Sequence, residues 1–408
     1  MLRSMFSAIS GLRGHQIMMD VIGNNIANVN TVGFKSGRVN FEDILSQTLR
    51  GATAPNGGLG SINPAQIGLG MTVAGIDVIH TQGNLQSTGK LTDMAIQGDG
   101  FFVLADGAHQ YFSRDGAFDI ALDGSLVNPA TGLKVQGWQA DSSGVIDTTQ
   151  TVGSISIPIG QRTTALATSA ANLRGNLDAG AAVGDTASTT MTVYDTLGVA
   201  HSIKLTFTKT AANSWSWAAS ADPADPGTTT TSTGTVSFTS AGLYSTATGS
   251  LSIAYSNGAT SPASPTLDLS KMTQFSGNSE PVSSTNGFTS GTLVTFAVGN
   301  GGEISGVYSN GQTQKLGQIA MASFLNPAGL LRAGQNSFQV SSASGNPSIG
   351  VPGSGGRGTV TTGALEMSNV DLATQFTGMI TAERGFQANG RVITTSDEML
   401  QELVNLKR

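Results

Sequence analysis

The residue types that most often carry out chemistry are scarce and scattered in this sequence. The chain has no cysteine and only four histidines, His15, His80, His109 and His201, which are far apart and lack the spacing of metal ligands. It contains no G-x-S-x-G nucleophile elbow, no phosphate-binding Gly-Lys-Ser/Thr loop and no H-E-x-x-H zinc motif. Nothing in the sequence therefore indicates an enzyme, and we predict no catalytic site, no metal site and no cofactor.

Two weaker signals have simpler explanations. A G-x-G-x-x-G motif begins at Gly353, but TVTTG follows instead of a helix, so the motif lacks the helix N-terminus that would hold a pyrophosphate. The aspartates between Asp115 and Asp123 are too few and too widely spaced for a calcium loop. We interpret the first signal as a flexible loop and the second as a set of turns.

The stretch DVIGNNIANVNTVGFKS, residues 20–36, is an unusual polar cluster. Asn24, Asn25, Asn28 and Asn30 lie within seven residues at the end of an apolar-periodic segment, although asparagine is a mediocre helix former. We predict that Asn28 and Asn30 cap the C-terminus of a helix and that Gly33 allows the turn after it. Asn24 and Asn25 lie inside the periodic segment, where capping explains them poorly.

Amphipathic helices are predicted at both ends of the chain, because apolar residues recur there at heptad spacing. At the C-terminal end, Ser368 and Asp371 also match an S-x-x-D capping box, which predicts a helix start. The apolar repeats are Leu2, Met5, Ile9, Leu12, Met19 and Ile26 in the first helix and Leu372, Phe376, Met379, Phe386, Ile393, Leu400 and Val404 in the second. A single pair of such helices leaves much apolar surface exposed to solvent, so we expect both ends of the chain to bind partners.

Both predicted helices also carry a stripe of small residues. The stripes are Ser7, Gly11 and Gly14 in the first helix and Thr374, Gly378, Ala382 and Gly385 in the second. Glycine inside a helix costs about 1 kcal/mol relative to alanine. The stripes therefore indicate either a close approach between helices or helices that are only marginally stable alone, and the sequence leaves both explanations open.

Strand signals fill the region between the helices. Within residues 70–140, Asp-Gly pairs at positions 99, 106, 115 and 123 separate short apolar runs, which predicts a β-meander. A second strand-rich block covers residues 285–362, with Asn-Gly pairs at 286, 300 and 310. The middle holds a Ser/Thr/Gly-rich tract without a charged residue from 226 to 267. We favour a β domain over a disordered linker there, because polar and apolar residues alternate along the tract.

The predicted fold class is α+β and multidomain, with paired, coiled-coil-like N- and C-terminal helices and two nested β-rich domains between them. We expect a terminal helical assembly domain with its connecting segment (residues 1–70 and 363–408), a discontinuous β-rich domain next to it (71–143 and 285–362) and an inserted outer β-rich domain (144–284). Chain termini that lie close together make such nesting natural.

Composition limits the possible partners. Only 11% of the residues are charged, and the net charge is −6 with a pI near 5.2, which argues against nucleic acid because phosphate binding needs a basic face. The sequence has no run of 18 apolar residues and no cleavable signal peptide, so we expect no membrane insertion. A polar, weakly charged surface is typical of a β-rich secreted protein and equally of a protein that packs against copies of itself.

Two segments resemble a known family. DVIGNNIANVNTVGFKS closely resembles the N-terminal signature of the flagellar rod and hook proteins, the axial subunits of the bacterial flagellum, and the segment from GALEMSNVD to the C-terminus resembles their C-terminal signature. The C-terminal match includes Leu365-Glu366, Ser368 to Asp371 and Gln387 to Asn389. The chain length and the tract MTVYDTLGVAH resemble hook subunits more than the shorter rod subunits. Gly378 and Gly385 depart from the family pattern, where larger residues are expected.

The resemblance implies a structural role. It implies a hollow, bendable tube of many identical copies, which transmits torque from the rod to the filament as a universal joint, with the helices lining the inside. The implied partners are the rod and hook–filament junction proteins, the hook cap and the flagellar type III export apparatus, and the implied location is extracellular, in the basal body and hook. The alternatives are a distal rod or other axial subunit and, from another class, a secreted β-rich adhesin or fibre.

We expect the subunit contacts in the two terminal motifs. In a tube of packed helices, the amides of Asn24 and Asn25 would hydrogen-bond neighbouring subunits and fix their register, and Phe34 would anchor the chain where it leaves the inner layer. The expected N-terminal assembly residues are Leu2, Met5, Ile9, Leu12, Met19, Asn24, Asn25, Asn28, Thr31, Gly33, Phe34 and Lys35. The expected C-terminal ones are Ser368, Asn369, Val370, Asp371, Leu372, Phe376, Met379, Arg384, Phe386, Gln387, Asn389, Ile393 and Leu400.

Overall fold

The computed structural model describes residues 2–52, 54, 61, 63–141, 144–160, 162–225 and 227–406. The chain divides into two compact units. Unit 1 contains Met1–Ile157, Ala297–Ser305 and Lys315–Arg408, and unit 2 contains Pro158–Phe296 and Gly306–Gln314. The three-part domain division expected from the sequence remains a prediction.

The described residues form an α-helix at each end of the chain and short strands between them. The helices are α1 (Leu2–Ala27) and α2 (Leu372–Asn405), with a 3-10 turn at Pro327–Gly329. None of these helices is long and apolar enough to cross a membrane.

The first strands, up to residue 154, are β1 (Gly37–Asp43), β2 (Ser46–Arg50), β3 (Ala65–Gly68), β4 (Met71–Val78), β5 (Leu85–Ser87), β6 (Met94–Gln97), β7 (Phe101–Ala105), β8 (Gln110–Ser113), β9 (Asp119–Ile120), β10 (Leu126–Val127), β11 (Lys134–Gln139) and β12 (Gly153–Ser154). The next are β13 (Ala170–Asn176), β14 (Thr186–Tyr194), β15 (Ala200–Ala211), β16 (Ser214–Ala221), β17 (Thr228–Thr229), β18 (Thr233–Phe238), β19 (Tyr244–Thr248), β20 (Ala254–Tyr255), β21 (Thr266–Thr273) and β22 (Val282–Thr285). The last are β23 (Leu293–Val298), β24 (Glu303–Tyr308), β25 (Thr313–Ile319), β26 (Met321–Ser323), β27 (Leu331–Gly334), β28 (Ser337–Gln339), β29 (Ser348–Gly350), β30 (Thr359–Thr362) and β31 (Ala364–Glu366).

In unit 1, α1 and α2 pack against each other in antiparallel directions through their small residues. A Cβ atom at Gly11 would lie 2.7 Å from Asn389 Nδ2, and one at Gly385 would lie 2.5 Å from His15 Nε2. Ala382, in the same stripe, is completely buried. The close-approach explanation of the small residues is therefore confirmed at these positions, because a larger side chain would push the helices apart.

Most large apolar side chains of the two helices lie outside this contact. On α2, Phe376 is 50% exposed, Ile380 is 57% exposed and Val404 is 68% exposed, and on α1 Phe6 is 66% exposed. Of the apolar repeat read from the sequence, Phe376 and Val404 therefore form surface that a single chain leaves uncovered. Other members, such as Met379, Ile393 and Leu400, are half-buried.

The start of α2 differs from the capping-box prediction. The N-cap is Asp371, whose Oδ1 accepts from the backbone N–H of Ala373 at 3.0 Å. The prediction of a helix start at Ser368 is wrong, because the chain is still tied to the β body there. Residues 364–366 form β31, which pairs with β5, and the Oδ1 of Asn369 accepts from the backbone N–H of Ser36 at 2.8 Å.

Two of the four Asp-Gly pairs form the predicted hairpin turns. Asp106-Gly107 joins β7 to β8, and Asp123-Gly124 joins β9 to β10. The meander prediction is wrong at Asp99-Gly100 and Asp115-Gly116, since β6 pairs with β30, and β8 pairs with β7 and β28. Strands from the C-terminal part of the chain take the places that local hairpins would have filled.

Each unit has its own apolar core. In unit 1 all five residues of β7 are buried, and Phe101, Phe112 and Trp138 belong to one cluster. Unit 2 is built on an antiparallel sheet in the order β14-β15-β16-β18-β19, whose inner side carries the buried rings of Trp215 and Trp217. The described part of the charge-free tract forms β17 to β20 and the start of β21, as the alternation of polar and apolar residues predicts.

Candidate assembly site

A buried ion cluster connects the N-terminal motif to the C-terminal motif. Lys35 Nζ lies 2.6 Å from Glu366 Oε1, and an Arg114 guanidinium nitrogen lies 3.1 Å from Glu366 Oε2. The side chains of Lys35 and Glu366 are completely buried, and that of Arg114 is 2% exposed. We call Lys35, Arg114 and Glu366 the junction cluster. Because a buried charge without its partner is strongly destabilising, the cluster requires all three segments to be present.

Backbone groups form further hydrogen bonds with the junction cluster. Glu366 Oε1 accepts from the N–H of Gly83 at 2.8 Å, and Lys35 Nζ donates to the carbonyl of Thr81 at 2.7 Å. Arg114 donates to the carbonyl of Gly98 at 2.8 Å. These bonds offset part of the cost of burying the charges, and Arg114 Nε is buried without a hydrogen-bond partner.

Burial changes the protonation equilibria around the junction cluster. Desolvation lowers the pKa of Lys35, and the Glu366 carboxylate opposes that shift. His80 lies nearby, with its ring 5.4 Å from the rings of both Phe101 and Phe338. Burial, reinforced by the cations of the cluster, lowers the pKa of His80 to about 4. His80 is therefore neutral near pH 7.

Asn25 ties the end of α1 to two other segments of the same chain. Its side chain is almost fully buried, and its Nδ2 donates to the Gly37 carbonyl at 2.8 Å and to Gln375 Oε1 at 3.0 Å. Its Oδ1 accepts from the N–H of Gly37 at 2.9 Å. Both amide protons are thus used within one chain. Asn24 is exposed, and the expected register contacts of Asn24 and Asn25 with neighbouring subunits stay a prediction.

The turn after α1 follows the predicted local chemistry at Asn28 and Gly33. Asn28 Nδ2 donates to the carbonyl of Asn24 at 2.9 Å, and this carbonyl also accepts from the backbone N–H of Asn28 at 3.2 Å, so the side chain adds a second hydrogen bond at the end of the helix. Gly33 has a φ of +68°, and a Cβ there would lie 2.6 Å from the backbone nitrogen of Asp115. Only glycine fits this position. Asn30 is exposed.

Phe34 is buried, as the anchor prediction requires, and Arg332 covers it. The guanidinium carbon of Arg332 lies 5.3 Å from the Phe34 ring centre, and Arg332 donates to the carbonyl of Lys35 at 2.6 Å. Asn336 Nδ2 donates to the carbonyl of Val32 at 2.8 Å. The segment after α1 is therefore held on both sides by side chains of the C-terminal half of the chain.

The expected assembly residues fall into two groups. The polar junction residues Asn25, Asn28, Thr31, Gly33, Lys35, Asn369 and Asp371 make contacts within the chain. The helical residues Met5, Ile9, Leu12, Met19, Met379, Asn389, Ile393 and Leu400 are half-buried, and Leu372, Phe376, Arg384, Phe386 and Gln387 are exposed. Ser368 and Val370 are half-buried in the segment before α2. The prediction for the Leu2 side chain falls outside the described part of the chain.

Sequence reasoning missed several residues that hold the junction together. Glu366 lies in the C-terminal signature. Lys35, next to the buried Phe34, could have indicated it, because a buried lysine needs a carboxylate partner. Arg114, just after β8, and Arg332, in β27, have no such local signal, since only the tertiary fold brings them to the junction. Within the described residues, no group of three or more His, Asp and Glu side chains is placed to hold a metal ion. The arrangement positions chain segments and exposes helical surface.

Four family models match the chain. "Flagella basal body rod protein" matches residues 5–35, and "Flagellar hook protein FlgE/F/G D1 domain" matches residues 95–170. "Flagellar basal body protein FlaE D2 domain" matches residues 167–288, and "Flagellar basal body rod FlgEFG protein C-terminal" matches residues 361–406. In chain order, the four matches extend from α1 to α2.

Individual relatives are similar over the whole length of the chain. The flagellar hook protein FlgE of Borreliella burgdorferi is 40% identical, and the flagellar basal-body rod protein FlgG of Bacillus subtilis is 33% identical, each with 100% of both chains covered. The crystal structure of the Helicobacter pylori flagellar hook protein FlgE2 shares the fold, with a TM-score of 0.57 at 14% identity over 69% of this chain and 100% of that chain. With 40% identity to a hook protein from end to end, the chain belongs to the flagellar hook protein family.

Proposed function

We propose that copies of this chain polymerise through their terminal helices into the hollow, bendable tube of the flagellar hook, which transmits torque from rod to filament. The observation that carries this proposal is the apolar surface left uncovered on both helices, such as Phe6 on α1 and Phe376 and Ile380 on α2. Burying apolar surface is worth about 25 cal/mol per Å². Apolar side chains that recur along an exposed helix, such as Phe376 and Ile380 on α2, indicate an interaction site.

The remaining parts of the proposal follow from family membership. The terminal helices line the inside of the tube, and the β-rich parts form the outer shells. The partners are further copies of the chain, the rod and hook–filament junction proteins, the hook cap during assembly and the flagellar type III export apparatus. The location is extracellular, in the hook and basal body.

Electron microscopy of the purified protein tests the polymerisation. Concentrated full-length protein is expected to form hollow tubes, whereas chains that lack residues 1–30 or 370–408 are expected to remain monomers, because each deletion removes one of the two helices. The ends of the monomer are expected to be more sensitive to protease than the ends of the assembled protein. A full-length protein that stays monomeric with protected ends contradicts the proposal.

A distal rod subunit is the second candidate, because a Bacillus subtilis rod protein is 33% identical over the whole chain. The hook is favoured by the higher identity, 40%, to the Borreliella burgdorferi hook protein. The same microscopy separates the two candidates. Tubes that curve and change curvature support the hook, and tubes that stay straight and rigid support the rod.

A further inference from the structure

We propose that His201 is a doubly protonated bridge between two carboxylates, which fastens a two-stranded ribbon to the main sheet of unit 2, and that loss of one ring proton loosens the ribbon. We call Asp195, His201 and Asp225 the histidine bridge, and the paired strands β17 and β20 the tract ribbon. Asp195 and His201 belong to the MTVYDTLGVAH tract, to which the assembly proposed above gives no role. These residues belong to unit 2 and the terminal helices to unit 1, so the histidine bridge is tested independently of assembly.

The His201 ring lies between two carboxylates, at hydrogen-bonding distance from both. Its Nε2 is 3.1 Å from Asp195 Oδ2, and its Nδ1 is 2.6 Å from Asp225 Oδ2. The side chain of His201 is 4% exposed and that of Asp195 is completely buried, whereas that of Asp225 is 29% exposed. Thr228 Oγ1 lies 2.7 Å from His201 Nδ1 and donates to Asp225 Oδ2 at 2.7 Å. Both ring nitrogens therefore face oxygen acceptors.

Both ring nitrogens of His201 carry a proton, because an ionised carboxylate only accepts hydrogen bonds. Hydrogen bonds from His201 and Thr228 lower the pKa of Asp225. Burial opposes the ionisation of Asp195, but hydrogen bonds from Asn257, His201 and two backbone N–H groups lower its pKa overall. The two aspartates are therefore ionised near pH 7, and an imidazole that donates to both of them is in the imidazolium form.

The first proton to leave the ring comes from the nitrogen that faces Asp225. Asp195 is completely buried, and a carboxylate that water cannot reach depends on its protein donors. The remaining proton therefore stays on Nε2, and Asp195 also keeps the bonds from Asn257 and from the backbone of the β14–β15 turn. Nδ1 then presents a lone pair to the Asp225 carboxylate, which is partly exposed and can turn toward solvent.

The histidine bridge attaches the charge-free tract, residues 226–267, to the main sheet. The two strands of the tract ribbon have two residues each, and so short a pair of strands is not stable by itself. The Tyr255 ring, from β20, stacks on the His201 ring with the ring centres 4.6 Å apart and the planes at 28°. Because the tract contains no charged side chain, Asp225, immediately before it, supplies its ionic attachment.

Tyr255 is the other titratable group that faces His201. Burial, reinforced by the charges of Asp195 and Asp225, raises the pKa of Tyr255 to about 12. Among the ion pairs of the described residues, no lysine or arginine contacts either aspartate. A change of charge in this cluster between pH 6 and pH 10 therefore belongs to His201.

Histidine NMR tests the protonation state of the ring. In protein labelled with nitrogen-15 histidine, the ring signals of His201 are identified by their loss in His201→Gln. At pH 6 both ring nitrogens are expected to have the chemical shifts of protonated nitrogen. At pH 10 one of them is expected to have the shift of an unprotonated nitrogen.

Amide hydrogen exchange tests whether the tract ribbon loosens. The N–H groups of Thr228 and Ser256 donate to backbone carbonyls of the segment just before β17. Their protection factors, which exclude the intrinsic effect of pH on exchange, are expected to fall at least about tenfold between pH 6 and pH 10, because a charge-assisted hydrogen bond is lost. The N–H of Leu205, in the middle of β15, is expected to keep its protection factor.

Three variants isolate the histidine bridge. Asp225→Asn introduces an amide that accepts from the charged ring and donates to the neutral ring, so the fall in protection is expected to disappear. His201→Gln removes the titrating ring and is expected to do the same, so if one of the two fails to fold the other decides. Asp222→Asn, at a nearby aspartate without an ion pair among the described residues, is the matched control and is expected to keep the full fall.

A His201 ring that is neutral at pH 6 overturns the proposal. Equal protection of Thr228 and Ser256 at pH 6 and pH 10 overturns it as well. An equal fall in the unsubstituted chain and in Asp225→Asn has the same consequence, because the change would then come from groups outside the histidine bridge.

Discussion

Glu366 neutralises two buried cations, Lys35 and Arg114, that come from distant parts of the chain. The stability of the junction therefore depends strongly on one carboxylate. The sequence shows Lys35 and Glu366 within two motifs, but their pairing depends on the fold, because 331 residues separate them.

Glu366→Gln is expected to lower the free energy of unfolding by about 3–5 kcal/mol, because it leaves Lys35 and Arg114 buried without a carboxylate. Urea denaturation followed by circular dichroism measures the change. The matched control is Glu303→Gln, which removes an exposed pair with Lys315 at 3.1 Å and is expected to cost about 1 kcal/mol at most. Equal losses for the two variants contradict a structural role for the junction cluster.

His80 is expected to make the protein sensitive to acid. Its pKa is about 4 in the folded chain, because burial disfavours the charged ring, against 6.5 for the free side chain. As the pH falls from 6.5 to 4, His80 binds a proton in the unfolded chain before it does so in the folded chain. The free energy of unfolding therefore decreases by on the order of 2–3 kcal/mol. The stabilising contribution is thus present above pH 6.5 and is lost below it.

His80→Leu removes this pH dependence. Urea midpoints at pH 7 and pH 4 should differ less for His80→Leu than for the unsubstituted chain. His109→Leu, at an exposed position, serves as the control and should keep the full difference. An unchanged difference in His80→Leu would assign the acid sensitivity to other groups.

At the scale of elements, small residues such as Gly11, Ala382 and Gly385 let α1 and α2 approach closely. The sequence predicted both helices and the stripes, since helical periodicity is a local property. It also predicted the hairpin at Asp106-Gly107, where the strands that pair are neighbours in the chain. It failed at Asp115-Gly116, which has the same local signal, because the partner of β8 on its other side is β28.

The two α2 glycines Gly385 and Gly390 give a matched pair of substitutions. Gly390→Ala is expected to stabilise the protein by about 1 kcal/mol, because no other atom lies near a Cβ at that position and alanine is the better helix former. Gly385→Ala is expected to destabilise it by about 1–3 kcal/mol, since its Cβ would overlap the His15 ring. Thermal unfolding by circular dichroism measures both. Stabilisation by both substitutions would show that the helices do not approach closely.

At the scale of the whole molecule, unit 2 presents a hydroxyl-rich, weakly charged surface. Across its main sheet, Thr208 pairs with Ser216, Ser216 with Thr235, and Thr235 with Thr248, and these residues are exposed or half-buried. We propose that such outer surfaces exchange contacts at little free-energy cost while the hook bends. Composition predicted the low charge of this region. The arrangement of its hydroxyl side chains in rows follows from the strand register.

Lysines on this surface are expected to change bending rather than assembly. Ser245→Lys with Thr246→Lys, at exposed positions of β19, adds like charges to every copy and should reduce hook curvature and swimming. Electron microscopy of hooks and motility assays measure the two effects. Ala108→Lys with Leu122→Lys, at exposed turns of unit 1, adds the same charge elsewhere as the control. Unchanged curvature in the β19 variant removes the support for sliding outer contacts.

The junction cluster has a consequence for the order in which the chain acquires its structure. Lys35 is synthesised before Glu366, which lies 331 residues later in the chain, so a nascent chain at first contains the cation without its counterion. Closing so long a loop adds an entropic barrier of the order of (3/2)RT ln n. We therefore expect the N-terminal region to complete its buried contacts only after the segment that contains Glu366 has been synthesised.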